Sequence, residues 1–265
     1  LRRGSPVLEI DTRVVNRSEC HRLRVFFPTN LKTNVCHVET AFDVVERPIV
    51  FDKNSPWHGY TSVTFPMQRF VDISNGKRGL AVINDGLREY EATQGEERAI
   101  ALTLLRAYEV ALTTVSKRWE PHPEMKGSQA FGEHSFRYFV YPHKGGWDEG
   151  EVLRVAEQST VPMIPAQTGA HEGTLPQTYG FMELDAQNVD ISACYKADNA
   201  DALIIRMFNP SDKREEATLT FGKPIRSAEL VSLEGKVETR LSSSGNVITV
   251  KIPKKKIVTL QVTFK

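Results

Sequence analysis

Apolar and polar residues alternate with a period of two along most of this chain, the spacing of half-buried strands. Residues 7–15 and 23–27 read as strands on either side of Asn16-Arg17-Ser18, a turn-like cluster. Residues 35–42 and 62–65 continue the series, with Arg47-Pro48 and residues 54–59 marking a long surface loop between them. The runs 65–74 and 79–83 then meet Asn84-Asp85-Gly86, and a third apolar run, 102–106, follows. Asn, Asp and Gly in that setting predict an antiparallel meander with a tight turn at 84–86. Residues 100–115 hold Ala, Leu and Arg that would suit a helix, but Gly95 and the surrounding β pattern favour a strand. Residues 117–132 are polar, with Pro121, Pro123 and Gly127, and read as a mobile loop. The best short helix is 151–157, apolar on one side.

Residues 161–180 are rich in Pro, Gly, Thr and Gln and read as an extended crossing segment. A second series of strands follows at 189–195, 202–208, 217–221, 228–233, 247–252 and 257–264. Glu234-Gly235 and residues 209–212 and 242–246 supply its turns. Six strands at this spacing predict a β-sandwich, and the boundary falls near residue 182. The chain is nearly all β.

Charge narrows the partners. Lys and Arg number 34 against 33 Asp and Glu, a balance that argues against nucleic acid or an anionic membrane surface. Lys254-Lys255-Lys256 reads as a charged turn or edge that discourages strand-to-strand aggregation. No apolar run approaches the roughly 20 residues of a membrane helix. Cys20, Cys36 and Cys194 are too few for a disulfide framework, which favours a reducing, cytoplasmic setting. The first residues lack the apolar centre of a signal peptide, and a start at Leu1 points to a fragment or a processed product.

Chemistry is harder to find. No His-Glu-x-x-His and no paired Cys-x-x-Cys is present. Cys20-His21 and Cys36-His37 are doublets on strands, where neighbours face opposite ways, so no metal site is expected. No nucleophile elbow or phosphate-cradling glycine loop appears. Asp43, Asp72, Asp85, Glu89, Glu133 and Asp148 lie near turns, but a retaining glycosidase needs two carboxylates about 5–5.5 Å apart, and linear spacing pairs none of them. The candidate substrate contacts are Asn84, Asp85, Arg88, Glu89 and Tyr90 at one loop mouth, with His143 in Tyr141-Pro142-His143-Lys144-Gly145. Against them stand plainer readings: Asp85 as a turn residue, Arg88 and Glu89 as a surface ion pair, His143 as a buried, hydrogen-bonded histidine. Trp57, Trp119 and Trp147 are sugar platforms at most and core packing by default.

The order of these pieces resembles the C-terminal, all-β portion of glycoside hydrolase family 38, the α-mannosidases. The resemblance rests on residues 15–29 with their His21-Arg22-Leu23-Arg24 and Phe27-Pro28-Thr29, on residues 40–48 ending in Arg47-Pro48, and on Phe70-Val71-Asp72 followed by residues 79–86. Leu104-Leu105-Arg106, residues 134–138 and residues 141–145 complete it. The bacterial and cytosolic branch, which includes mannosylglycerate-hydrolase-like proteins, is the nearest likeness. Two departures bear on substrate: residues 108–129 are longer than the branch's short acidic turn, and Leu87-Arg88-Glu89-Tyr90 stands where Lys-Tyr-Gly is more usual.

The resemblance implies a large antiparallel supersandwich of the galactose-mutarotase type over residues 1–181, then a smaller β-sandwich over residues 182–265. It implies the non-catalytic portion of a retaining α-mannosidase, completing the substrate cleft, with an α-mannoside as ligand and the N-terminal catalytic barrel of the same protein as partner. The catalytic carboxylates and zinc ligands of the family lie upstream, so no catalytic or metal residue carries over, and zinc is expected in the missing domain. The sequence leaves a homo-oligomer open. Two alternatives stand beside this reading: a stand-alone carbohydrate-binding module, and a mutarotase-like epimerase with His143 and Glu89 or Asp85 converging on one sugar position.

Overall fold

The computed structural model describes residues 2–50, 63–112, 119–122, 124–198 and 200–265. By internal contacts the chain divides into two compact units, Leu1–Thr40 with Val45–Thr160, and Ala41–Val44 with Val161–Lys265. Trp57 and the loop expected at 54–59 lie outside the described residues, as do the indole of Trp119 and the first residue of the strand expected at 62.

The first unit supplies β1 (Leu8–Asn16), β2 (Arg22–Phe27), β3 (Val35–Thr40), β4 (Asp43–Pro48), β5 (Phe65–Pro66), β6 (Phe70–Ser74), β7 (Arg78–Asn84), β8 (Glu89–Ala92), β9 (Ile100–Arg106), β10 (Val110–Leu112), β11 (Trp119–Pro121) and β12 (Gly132–Lys144). One sheet runs β1-β12-β7-β6-β3-β4, a second runs β2-β9-β8-β5, and β10 pairs with β11. Alternate residues of both larger sheets, among them Val71, Ile73, Val82, Leu102 and Tyr138, meet in one core. The helix α1 (Val152–Thr160) buries Val152, Leu153, Val155 and Ala156 and packs on β6 and β7. Those two strands are covered on both faces. That explains why all five residues of β6 are buried and why its sequence is nearly continuous in apolar side chains rather than alternating.

The second unit holds β13 (Met182–Asp185), β14 (Asp190–Lys196), β15 (Leu203–Asn209), β16 (Glu215–Phe221), β17 (Ile225–Val231), β18 (Val237–Leu241), β19 (Val247–Ile252) and β20 (Lys256–Phe264). Its sheets run β13-β16-β19 and β14-β15-β20-β17-β18, and Ile205, Met207, Leu219, Ile248 and Leu260 fill the space between them. Among the described residues the fold is all-β with one α-helix, as the alternation predicts, and residues 100–106 are strand.

Several local expectations needed correction. The corner at Asn84-Asp85-Gly86 does not close a hairpin: β7 before it and β8 after it lie in different sheets. The hairpin sits one step earlier, where Gly76 at φ 79° turns β6 into β7. Arg47-Pro48 ends β4 instead of opening a loop, and residues 35–42 are a strand plus the turn that leads into β4, with Phe42 at φ 61°. Residues 119–121 form β11, and the buried Gln129 ties the end of the expected loop down through Cys20 and Asn16, so that stretch is not free over its length. The second unit has two strands more than the six expected. β18 shows no buried face, and β13 is only four residues long, so neither carries a strong alternation signal. The lysine run occupies the β19–β20 turn, with Lys255 at φ 53°.

Candidate functional site

The chemistry expected at one loop mouth is divided by the fold among three places. The first is the corner itself. Asn84 is 1 % exposed; its Nδ2 donates to the carbonyls of Gln68 (3.1 Å) and Arg69 (3.0 Å), and its backbone N–H donates to Arg69 O at 2.7 Å. These bonds, with Gly86 at φ 99°, send the chain out of one sheet and into the other. The Asn84 Oδ1 is buried without a partner among the described residues. Asp85 and Arg88 are exposed, and Arg88 Nη1 donates to Gln68 Oε1 at 2.8 Å. These two residues form the accessible polar rim. Tyr90 is not on it: the ring is fully buried, tilted against Phe65, with its hydroxyl 3.7 Å from Cys36 Sγ. Burial pushes the Cys36 thiol up to about 11 and raises the Tyr90 phenol as well, so both stay neutral.

The second place is the outer face of the four-stranded sheet. Glu89 Oε1 accepts from Thr103 Oγ1 at 2.7 Å, and Oε2 accepts from Arg106 at 2.8 Å. One pair further along, Arg24 meets Glu91 at 2.5 Å and stacks over Phe26. Glu89 therefore belongs to a cross-strand ladder of ion pairs, close to its plainer reading.

The third is a buried network under α1. His143 on β12 stands opposite Gly79 on β7. A Cβ at Gly79 or at Gly150 would run into the imidazole, so these two glycines make the slot in which the ring lies. His143 Nε2 is 2.7 Å from Asp72 Oδ1, and Ser74 Oγ donates to Asp72 Oδ2 at 2.8 Å. Lys144 O, which can only accept, lies 3.1 Å from Nδ1, so Nδ1 carries a proton and donates. Burial alone would lower the His143 pKa, but the hydrogen bond and charge of Asp72 outweigh it and leave it raised. The imidazolium with a carboxylate satisfied on both oxygens is the arrangement these contacts hold. The side chains are 1 % and 0 % exposed, so the pair offers no free atom to a ligand.

Convergence of His143 with Glu89 or Asp85 is absent. His143 faces the start of β7 and Asp85 follows its end, about 20 Å away at the rise of a strand, while Glu89 is on another sheet. The carboxylate that His143 does meet, Asp72, had a signal in the sequence: a charge inside Phe70-Val71-Asp72-Ile73-Ser74 needs a buried partner. Ser74, Gly79 and Gly150 had none. Trp147 is 8 % exposed and packs inside.

No group of three or more His, Cys, Asp or Glu side chains that would suit a metal ion is found among the described residues. The doublets do not meet: Cys20 is exposed beside Gln129, Cys36 is buried against Tyr90, and His37 lies 3.7 Å from Glu46. No helix among the described residues is long and apolar enough to cross a membrane.

The described residues form two antiparallel β-sandwiches, the first of which seals the polar network of His143, Asp72 and Ser74 inside. Residues 1–110 match the profile of the glycosyl hydrolases family 38 C-terminal domain, and residues 188–260 match that of the family 38 C-terminal β-sandwich domain. The chain belongs to glycoside hydrolase family 38 and represents its C-terminal region. It is 28 % identical over 221 residues to a provisionally named mannosylglycerate hydrolase of Halalkalibacterium halodurans, a match covering 83 % of this chain and 23 % of that protein. It is 23 % identical over 237 residues to human alpha-mannosidase 2C1, covering 87 % of this chain and 20 % of that protein. The crystal structure of an alpha-mannosidase from Enterococcus faecalis V583 superposes with a TM-score of 0.82 at 23 % identity, over 98 % of this chain and 28 % of that one. The chain thus spans about a quarter of the length of the relatives it matches.

Proposed function

We propose that this chain is the non-catalytic C-terminal portion of a retaining α-mannosidase-type hydrolase, completing the substrate cleft and scaffolding an upstream catalytic barrel. The observation that carries the reading is the match to two C-terminal family profiles, in order, within relatives about four times as long. The chemistry of the chain agrees. Asp72, Glu39, Glu89 and Glu91 are each held by a histidine or an arginine, which suits structural carboxylates better than an acid and a nucleophile flanking one bond.

In this reading the contribution to ligand binding comes from the exposed rim at Asp85 and Arg88, one acceptor and one cationic donor that match sugar hydroxyls. Asn84 shapes that rim from inside through its bonds to the carbonyls of Gln68 and Arg69. The zinc of the complete enzyme is held by the upstream portion, and an α-mannoside is its substrate. Three cysteines without a disulfide agree with a reducing, cytoplasmic setting.

The test is hydrolysis of an aryl α-mannoside by this chain alone and by this chain mixed with the separately made upstream portion, each with zinc and with a chelator. No turnover alone and chelator-sensitive turnover in the mixture is the expected result. Turnover by the chain alone would place a complete active site within it and overturn the reading.

A further inference from the structure

Residues 161–181, which join α1 to β13, are exposed at every position. They include Val161 (62 % exposed), Met163 (95 %), Ile164 (91 %), Leu175 (62 %) and Phe181 (74 %). Single exposed apolar residues are ordinary, but five within 21 consecutive positions are not. Hydrogen bonding is equally sparse. From residue 161 to residue 178 no strand or helix forms, and no backbone-to-backbone bond is found among the described residues. Pro162, Pro165 and Pro176 remove three donors and hold the chain extended.

The far end is fastened. Tyr179 Oη donates to Gly222 O at 3.1 Å, Gly222 N–H donates to Phe181 O at 3.0 Å, and Tyr179 and Phe181 pack edge to face. At the near end, Ser159 and Thr160 turn their hydroxyls back onto Val155 O and Ala156 O and close the helix. The segment is therefore fixed at both ends and left open between them, with Met163 and Ile164 in water.

Along residues 161–178 every position is exposed, so burial within its own unit stabilises the connection little. Burying Met163 and Ile164 against a partner would remove their apolar surface from water, which is favourable. Its unpaired backbone groups offer hydrogen bonds along an extended line. The relatives carry about three quarters of their length outside the matched region, which both profiles describe as C-terminal. Resting on the proposed function, we infer that residues 161–181 are a docking strap that lies against the upstream portion of the same protein, with Met163 and Ile164 as its apolar anchors.

The experiment measures binding of this chain to the separately made upstream portion, together with the restored hydrolysis, for the wild type, Met163→Asp, Ile164→Asp and the control Leu233→Asp. Leu233 is another exposed apolar residue, 67 % exposed, outside the strap. Circular dichroism and thermal melting check that each variant is folded. The strap variants are expected to bind at least tenfold more weakly than wild type, while Leu233→Asp binds normally. Oxidation of Met163 by dilute peroxide, followed by mass spectrometry, is expected to slow at least tenfold when the upstream portion is added. Wild-type binding and turnover with unaltered strap variants and unchanged Met163 oxidation would overturn the strap and leave the proposed function standing. Absence of binding by every chain, wild type included, would overturn both.

Discussion

The two sandwiches of this chain are built on the same alternation, yet they bury different things. The second closes on aliphatic and aromatic side chains, and its chief buried amide, Asn209, serves a turn: Nδ2 donates to Lys213 O at 2.8 Å and Oδ1 accepts from Ser211 N–H at 2.9 Å. The first places polar groups in mid-sheet. Asp72 and His143 are sealed under α1, and Glu39, 4 % exposed, grips Arg69 through contacts of 2.6 and 2.8 Å. Hydrophobic burial is forgiving of small shifts, whereas a buried ion pair tolerates neither a lost partner nor a wrong distance. The first unit is thus held to one geometry, and its corner at 84–86 inherits that precision.

Removing one partner of the network should separate the two kinds of core most sharply. Asp72→Ala leaves an unpaired buried imidazolium and is expected to cost about 3–5 kcal/mol in urea unfolding. A loss below about 1 kcal/mol would show that the pair is not a structural charge pair. In the second unit, Leu219→Ala creates a cavity at a fully buried site and is expected to cost about 2–5 kcal/mol without altering any pH dependence. Smaller is the effect of Gly79→Ala, whose methyl group meets the His143 ring; about 1–3 kcal/mol is expected from overpacking, measured by thermal melting. If the variant were as stable as wild type, the slot would be looser than described.

The pH dependence refines the comparison further. The folded-state pKa of His143 lies above its ordinary 6.5, so its contribution is complete below that value and is lost as pH rises through the raised one. The melting temperature of wild type should therefore fall more between about pH 6 and about pH 9 than that of His143→Gln, and parallel curves would refute the charged pair. The mildest test uses thiols. Cys20 and Cys194 are exposed, whereas Cys36 is buried with its thiol pushed up to about 11, so two of the three should react with an aromatic disulfide before unfolding. Rapid reaction of all three would show the Cys36–Tyr90 contact to be open.

Much of this was legible in the residues. The period of two marked most strands, and the apolar face of residues 151–157 marked the helix. An acid in the middle of the β6 run signalled a partner without naming it. His143 was readable as a buried histidine, and the order of short motifs pointed to the family. The candidate contacts fared differently, because adjacency along a strand says nothing about sheet membership. Glu89 and Tyr90 follow Asn84 closely in sequence, yet the corner carries them into a second sheet, where Glu89 joins an arginine ladder and Tyr90 enters the core.

Alternation, turn residues and composition are local properties, and they determined the β class of this protein and the positions of most strands, while the order of short motifs pointed to the family. Which strands share a sheet, and which polar side chain meets which, depend on contacts between residues far apart in the chain. His143 and Asp72 are separated by 71 positions, and only the register of β12 on β7 beside β6 brings them to 2.7 Å. Local patterns state that a charge must be paired because burying it alone costs too much. The tertiary structure chose the partner, since it alone fixes the distances on which an ion pair depends.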